Sequence, residues 1–143
     1  MKIEEEFLTI EQARELKKLG INFSGANFGI YNFYESLAED EVNEIRKLDF
    51  ALRSKLVTET LSIAEMIDIL PIKIDIDIKE MHPDNESHYM LKVNLSINSN
   101  SVSYRLYSKS LPHCVFVYQT FYKDNLRDSL FDMIKFLKQN KLI

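Results

Sequence analysis

The stretch that decides the fold is 72-IKIDIDIKEMHPDNESHYMLKVNLSI-97. Its first eight residues alternate strictly, with Ile72, Ile74, Ile76 and Ile78 on one face and Lys73, Asp75, Asp77 and Lys79 on the other. Its end alternates as well, with Leu91, Val93, Leu95 and Ile97 apolar against Lys92, Asn94 and Ser96. A period of two is that of a strand with one buried face. An antiparallel hairpin that pairs Ile78 with Leu91, Ile76 with Val93, Ile74 with Leu95 and Ile72 with Ile97 keeps both apolar sets together. It also sets Asp77 opposite Lys92, a favourable cross-strand pair. A slip of one residue would turn one apolar set to water.

Between the strands, His82, Asp84, Glu86 and His88 fall at every second residue, as metal ligands on one extended face would. The hairpin register pairs His82 with Ser87 and leaves Pro-Asp-Asn-Glu at 83–86 as a loop. Pro83, Asp84 and Asn85 suit a type I turn. A turn breaks the alternation, so the four side chains no longer converge as a zinc or iron site requires. The expectation is a solvated turn, with no metal and no cofactor.

Working outward, a loop at NSNS (98–101) pairs Ile97 with Val102, Leu95 with Tyr104 and Val93 with Leu106 on the apolar face. The polar face then pairs Ser96 with Ser103, Asn94 with Arg105 and Lys92 with Tyr107. A fourth strand, CVFVYQTFY (114–122), is apolar on both faces, and its register stays open. Plain alternation sends Val115 and Val117 one way, Phe116 and Tyr118 the other. The last segment, DNLRDSLFDMIKFLKQNKLI, predicts an amphipathic helix capped near Asp124 or Asn125, with a stripe of Leu126, Leu130, Met133, Ile134 and Leu137.

In the N-terminal half, Thr9 and Gln12 form a capping box, Leu8 and Ala13 a hydrophobic staple, and Gly20 a stop. Ser62 and Glu65 open another helix, flanked by Leu61 and Met66 and ended by Pro71. Ser36 with Glu39, followed by Val42, Ile45, Leu48 and Leu52, predicts a helix from about Leu37. Its end is open, since FALRSKLV could equally be extended. INFSGANFGIYNFYES is either a strand or a packed loop.

The expected architecture is therefore a single α+β domain, residues 1–143. N-terminal helices lead into a four-stranded antiparallel β-meander, and a C-terminal amphipathic helix packs on one sheet face. The opposite face is polar over three strands and turns aromatic at Tyr107, Phe116 and Tyr118. Those three are the candidate partner-binding residues.

Composition bounds the function. The chain of 143 residues is long enough to bury a core unaided, and its net charge of −4 argues against a nucleic-acid binder. Residues 1–60 carry 8 basic and 12 acidic side chains, residues 61–143 carry 10 of each, so the acidity belongs to the first part. A lone cysteine, Cys114, excludes an internal disulfide and a cysteine-based zinc site. No apolar run reaches the roughly 18 residues of a membrane span, and the acidic start MKIEEEF is unlike a signal peptide, which makes a cytoplasmic setting the expectation. The glycines Gly20, Gly25 and Gly29 form neither a P-loop nor a dinucleotide fingerprint.

Catalytic candidates each have a plainer reading. His113 and Cys114 suggest a thiol–imidazole nucleophile, but neighbours on a strand point to opposite faces, which favours a structural cysteine. Asp75 and Asp77 share a face as paired acids do, yet Lys73, Lys79 and Lys92 surround them. Phe23, Phe28, Tyr31, Phe33 and Tyr34 could stack bases, but no Arg or Lys interleaves them, which favours packing or an interface. No GxSxG or HExxH occurs.

Three segments, EFLTIEQARELKKLGI, TLSIAEMIDILP and LRDSLFDMIKFLKQNKLI, resemble a loose group of short, uncharacterised proteins common in prophages and mobile elements of gut bacteria. The resemblance covers about a third of the chain and brings no activity or site residues. It implies an accessory gene whose product binds a host or phage protein. The expected function is thus a non-enzymatic interaction protein, with a protein partner or self-association. The alternative is a small-ligand binder or enzyme with a pocket between the sheet and the N-terminal helices, using His113, Tyr118 or Arg105.

Overall fold

A computed structural model describes residues 3–33, 43–77, 90–107 and 114–143. It is α+β, with two antiparallel sheets, and the chain falls into two compact units, residues 1–68 and 69–143.

The first unit opens with a short 3-10 turn and then α1, Ile10–Lys18. The Thr9–Gln12 capping box is formed in both directions, at 3.1 and 3.2 Å. At the other end Gly20 takes φ 93°, and Ile21 N–H reaches back to the Leu16 carbonyl at 3.0 Å while Gly20 N–H reaches Lys17. This six-to-one closure is available to a residue without a Cβ and stops the helix where the sequence places it. Ala13 and Leu16 are fully buried.

The sheet of this unit is one the helical spacing hid. Its strands are β1 (Phe28–Asn32), β2 (Asn43–Lys47) and β3 (Leu56–Thr60), in the order β2-β1-β3. FGIYN is therefore a strand. The helix expected from about Leu37 is corrected: Ile45 stands opposite Ile30 in a ladder, and Phe50–Lys55 is a 3-10 turn. Apolar residues at 42, 45, 48 and 52 fit a helix, but β1 offers NEIRK a complete set of backbone partners, and tertiary pairing overrides a weak local pattern. Ser36 and Glu39 lie outside the described residues. The unit ends in α2 (Ile63–Ile69), opened by the Ser62–Glu65 box, whose Glu65 N–H donates to Ser62 Oγ at 3.2 Å and whose Ser62 N–H donates back at 3.1 Å.

The second unit holds β4 (Lys73–Asp77), β5 (Met90–Ile97), β6 (Ser101–Tyr107) and β7 (Cys114–Tyr122) as a meander in chain order, followed by α3 (Leu126–Gln139). The β4–β5 face is as expected and the register is not. Ile74 pairs with Val93, Ile76 with Leu91 and Asp75 with Lys92. That is a two-residue offset from the expected pairing. An even slip keeps every side chain on its face, so alternation cannot distinguish the two. Ile72, just before β4, accepts the Leu95 N–H at 2.8 Å in this register, and its side chain is 76% exposed. The four-residue loop at 83–86 was counted from the other register, and His82, Asp84, Glu86 and His88 lie outside the described residues.

β5 and β6 pair as expected, Ile97 with Val102 and Leu95 with Tyr104, and Asn98 N–H closes the turn on the Ser101 carbonyl at 2.9 Å. β6 and β7 carry two irregularities. Gln119 faces Tyr104, Val117 faces Arg105 and Phe116 faces Leu106, so Tyr118 is an extra residue between ladder pairs. Such a bulge shifts the alternation by one. Phe116 thereby joins the aliphatic face through Leu106, and Val117 joins the open face, where it is 45% exposed.

α3 covers the aliphatic face over β6 and β7. Asn125 caps it by accepting the Asp128 N–H at 2.9 Å. Leu130, Met133, Ile134 and Leu137 are fully buried, each contributing about 1.5–3 kcal/mol by removal from water. Ser129, also fully buried, donates from Oγ to the Asn100 carbonyl at 2.6 Å and accepts the Lys123 N–H at 3.0 Å, tying helix to turn.

Candidate binding groove beside Phe50

The expected partner face does not assemble as drawn. Tyr118 lies with its ring 6.1 Å from that of Phe136 on α3, which also meets Phe121 at 6.0 Å. Phe116 shares the helix-covered face. Tyr107 pairs with Cys114 along the backbone, and their side chains are outside what the structure describes. Of the residues expected in an alternative pocket, Arg105 donates from Nε to Ser103 Oγ at 2.7 Å, and His113 is not among the described residues. Lys92 stands opposite Asp75 and not, as expected, opposite Asp77, which pairs with Met90 along the backbone.

The first unit presents a different surface. On β1, Gly29 and Tyr31 share a face, and the Tyr31 ring stacks on Phe33 at 5.8 Å with 15° between planes. Tyr31 is buried, and its hydroxyl accepts the Asp49 backbone N–H at 3.1 Å. Asp49 in turn caps the Phe50–Lys55 turn by accepting the Ala51 N–H at 3.0 Å. Phe50 is the first residue of that pinned turn and stands 79% exposed. The Arg53 guanidinium lies 4.0 Å from its ring centroid, a cation–π contact across one turn.

Tyr31, Leu48, Asp49, Phe50, Arg53 and Leu56 surround an open groove of about 270 Å³. Leu48 is itself 37% exposed. Leu48 and Leu56 form its floor, packed over Gly29, where a Cβ would stand 2.6 Å from Leu56 Cδ1 and 2.8 Å from Leu48 Cδ2. On the same sheet the Arg46 guanidinium covers the Phe33 ring at 4.6 Å. Sequence reading missed these pairs because it sought cations interleaved among the aromatics. The sheet brings them from β2 and the turn instead.

The second unit has a smaller open depression of about 240 Å³ lined by Phe121, Asp132, Lys135, Phe136 and Gln139. Lys123 and Asp132 form an ion pair at 3.3 Å on that side of α3. Among the described residues, Glu59 and Tyr104 have displaced pKa values, and neither lines these two grooves. Lys17, hydrogen-bonded to Glu59, holds that carboxyl below its ordinary value, aided by a backbone hydrogen bond. Burial pushes the Tyr104 phenol upward, and its hydroxyl donates to the Pro71 carbonyl at 2.7 Å.

Among the described residues no group of three or more His, Cys, Asp or Glu is placed to hold a metal, and no buried side-chain nitrogen or oxygen lacks a hydrogen-bond partner. No helix among them is long and apolar enough to cross a membrane. Comparison with protein-family models, with curated proteins and with solved structures finds no match.

Proposed function

We propose that the protein is a non-enzymatic interaction module that binds a protein partner through the Phe50 groove. The observation that carries this reading is an aromatic side chain held 79% exposed on a turn pinned by Tyr31 and Asp49. A single exposed apolar residue is ordinary on a protein surface; an exposed aromatic beside Leu48, over a shaped apolar floor and under an arginine, is an interface composition. Holding the turn in place before binding lowers the ordering cost of association. The open shape supports a protein partner over a small ligand, whose sites enclose about 300–1,000 Å³ and bury most of the molecule. The resemblance to short proteins of mobile elements supports an accessory role, with a host or phage protein as partner, and the acidic start of the sequence is in keeping with a cytoplasmic setting.

The test is site-specific photo-crosslinking with p-benzoylphenylalanine in place of Phe50, or in place of Tyr122 as an exposed control. The reading expects one discrete adduct from position 50, absent from position 122 and lost when Arg53→Ala is added. An adduct of twice the chain mass would identify the partner as a second copy. Equal adducts from both positions, or none from position 50, would contradict the reading.

A further inference from the structure

We infer that the Phe50 groove recognises a protein segment presenting one bulky apolar side chain flanked by carboxylates, an inference that rests on the groove being the interaction surface. The segment from Asn43 to Leu56, which supplies most of the groove, is basic in an acidic stretch of sequence. Residues 43–56 carry Arg46, Lys47, Arg53 and Lys55 against Glu44 and Asp49, whereas the rest of residues 1–60 carries ten acidic and four basic side chains. Glu44 is already paired with Arg46 at 2.7 Å, and Asp49 Oδ1 is engaged by the Ala51 N–H. Residues 43–56 thus carry a net charge of +2 in a chain of −4, with Arg53 and Asp49 both lining the groove itself, and carboxylates on a partner complement that excess.

Arg53 supplies the specific contact. Its Nη1 reaches the Phe50 carbonyl at 3.4 Å, a long bond for which an incoming carboxylate competes well. A guanidinium beside an aromatic ring retains N–H donors that can bind a carboxylate through two bonds once the long contact to the Phe50 carbonyl is exchanged. Between Arg53 and the leucines, which close over Gly29, the groove of about 270 Å³ accepts one bulky side chain. A single-stranded nucleic acid fits less well. Its bases need free ring faces in succession, and Arg46 and Arg53 already cover faces of Phe33 and Phe50.

The experiment is selection from a random 12-residue peptide display library on the immobilised full chain, repeated on Phe50→Ser and Arg53→Glu. Phe50 is exposed and Arg53 lies at the surface turn, so both variants are expected to keep the wild-type melting temperature. Enriched peptides should combine Leu, Met, Phe or Trp with adjacent Asp or Glu. A synthetic member should bind each variant about tenfold or more weakly, and raising the salt from 50 to 500 mM should weaken binding several-fold. Neutral or basic peptides that still need Phe50 would overturn the carboxylate inference and leave the groove standing. Acidic peptides that bind Phe50→Ser undiminished would overturn the groove itself. No enrichment would count against both, and displacement of the peptide by oligothymidylate at lower concentration would replace the protein partner with a nucleic acid.

Discussion

Single residues in this chain report on linkages that cross the sequence. The Lys17–Glu59 pair joins α1 to β3, and Lys17 Nζ also donates to Thr58 Oγ1 at 2.8 Å. Because the folded-state pKa of Glu59 is depressed, its contribution is present above the unfolded value and is lost as pH falls through the folded one. Both side chains are about one-third exposed, which limits the contribution to that of a surface pair. Glu59→Gln should therefore cost about 0.5 kcal/mol at pH 7, with the difference closing below about pH 4 in urea titrations across pH. A difference independent of pH would assign the effect to packing. Tyr104→Phe strips the part-buried Pro71 carbonyl of its donor and should cost about 1 kcal/mol. The sequence marked the face and partner of Tyr104 correctly, but nothing in it shows that the hydroxyl reaches back to the start of β4.

At the scale of elements, legibility followed how each signal arises. Caps are local chemistry, and the boxes at Thr9 and Ser62 and the cap at Asn125 are where the sequence put them. Faces are set by alternation, and β4 follows it in burial, whereas on β6 Ser101 and Ser103 of the polar face are buried as well. Register within β4–β5 is not set by alternation, because a two-residue slip costs no face. The bulge at Tyr118 carries no local signal at all. Its gain is the packing of Tyr118 beside Phe121 against Phe136 of α3, which offsets the unpaired residue. Tyr118→Ala should accordingly destabilise by about 1–3 kcal/mol and Phe136→Ala by about 3 kcal/mol, whereas Tyr122→Ala, 72% exposed, should stay within about 0.5 kcal/mol. Thermal and urea unfolding of the three variants check this. A neutral Tyr118→Ala would return that ring to the open surface.

At the scale of the molecule, the α+β class and the four-stranded meander were legible, and the three-stranded sheet was not. Ile45 and Leu48 fit a helical spacing, and long-range pairing with β1 decided otherwise. The groove depends on that hidden sheet, so its residues had no common address in the sequence: Gly29 and Tyr31 come from β1, Leu48 follows β2, Phe50 and Arg53 share a turn, and Leu56 opens β3. The tool for reshaping it is the floor. Gly29→Ala pushes against the flexible ends of Leu48 and Leu56, so it should cost about 1–2 kcal/mol of stability while weakening groove binding more than an exposed control such as Tyr122→Ala does. The same variant with unchanged binding would show that the floor plays no part.

The most direct measurement is a ¹H–¹⁵N correlation titration of the full chain with a 12-residue peptide bearing one Trp between glutamates. Binding through the groove predicts saturable shifts gathered at Gly29, Tyr31, Asp49, Arg53 and Leu56, shrinking as salt is raised. Shifts gathered instead around Phe121, Asp132 and Phe136, or no saturable shift at any position, would contradict it.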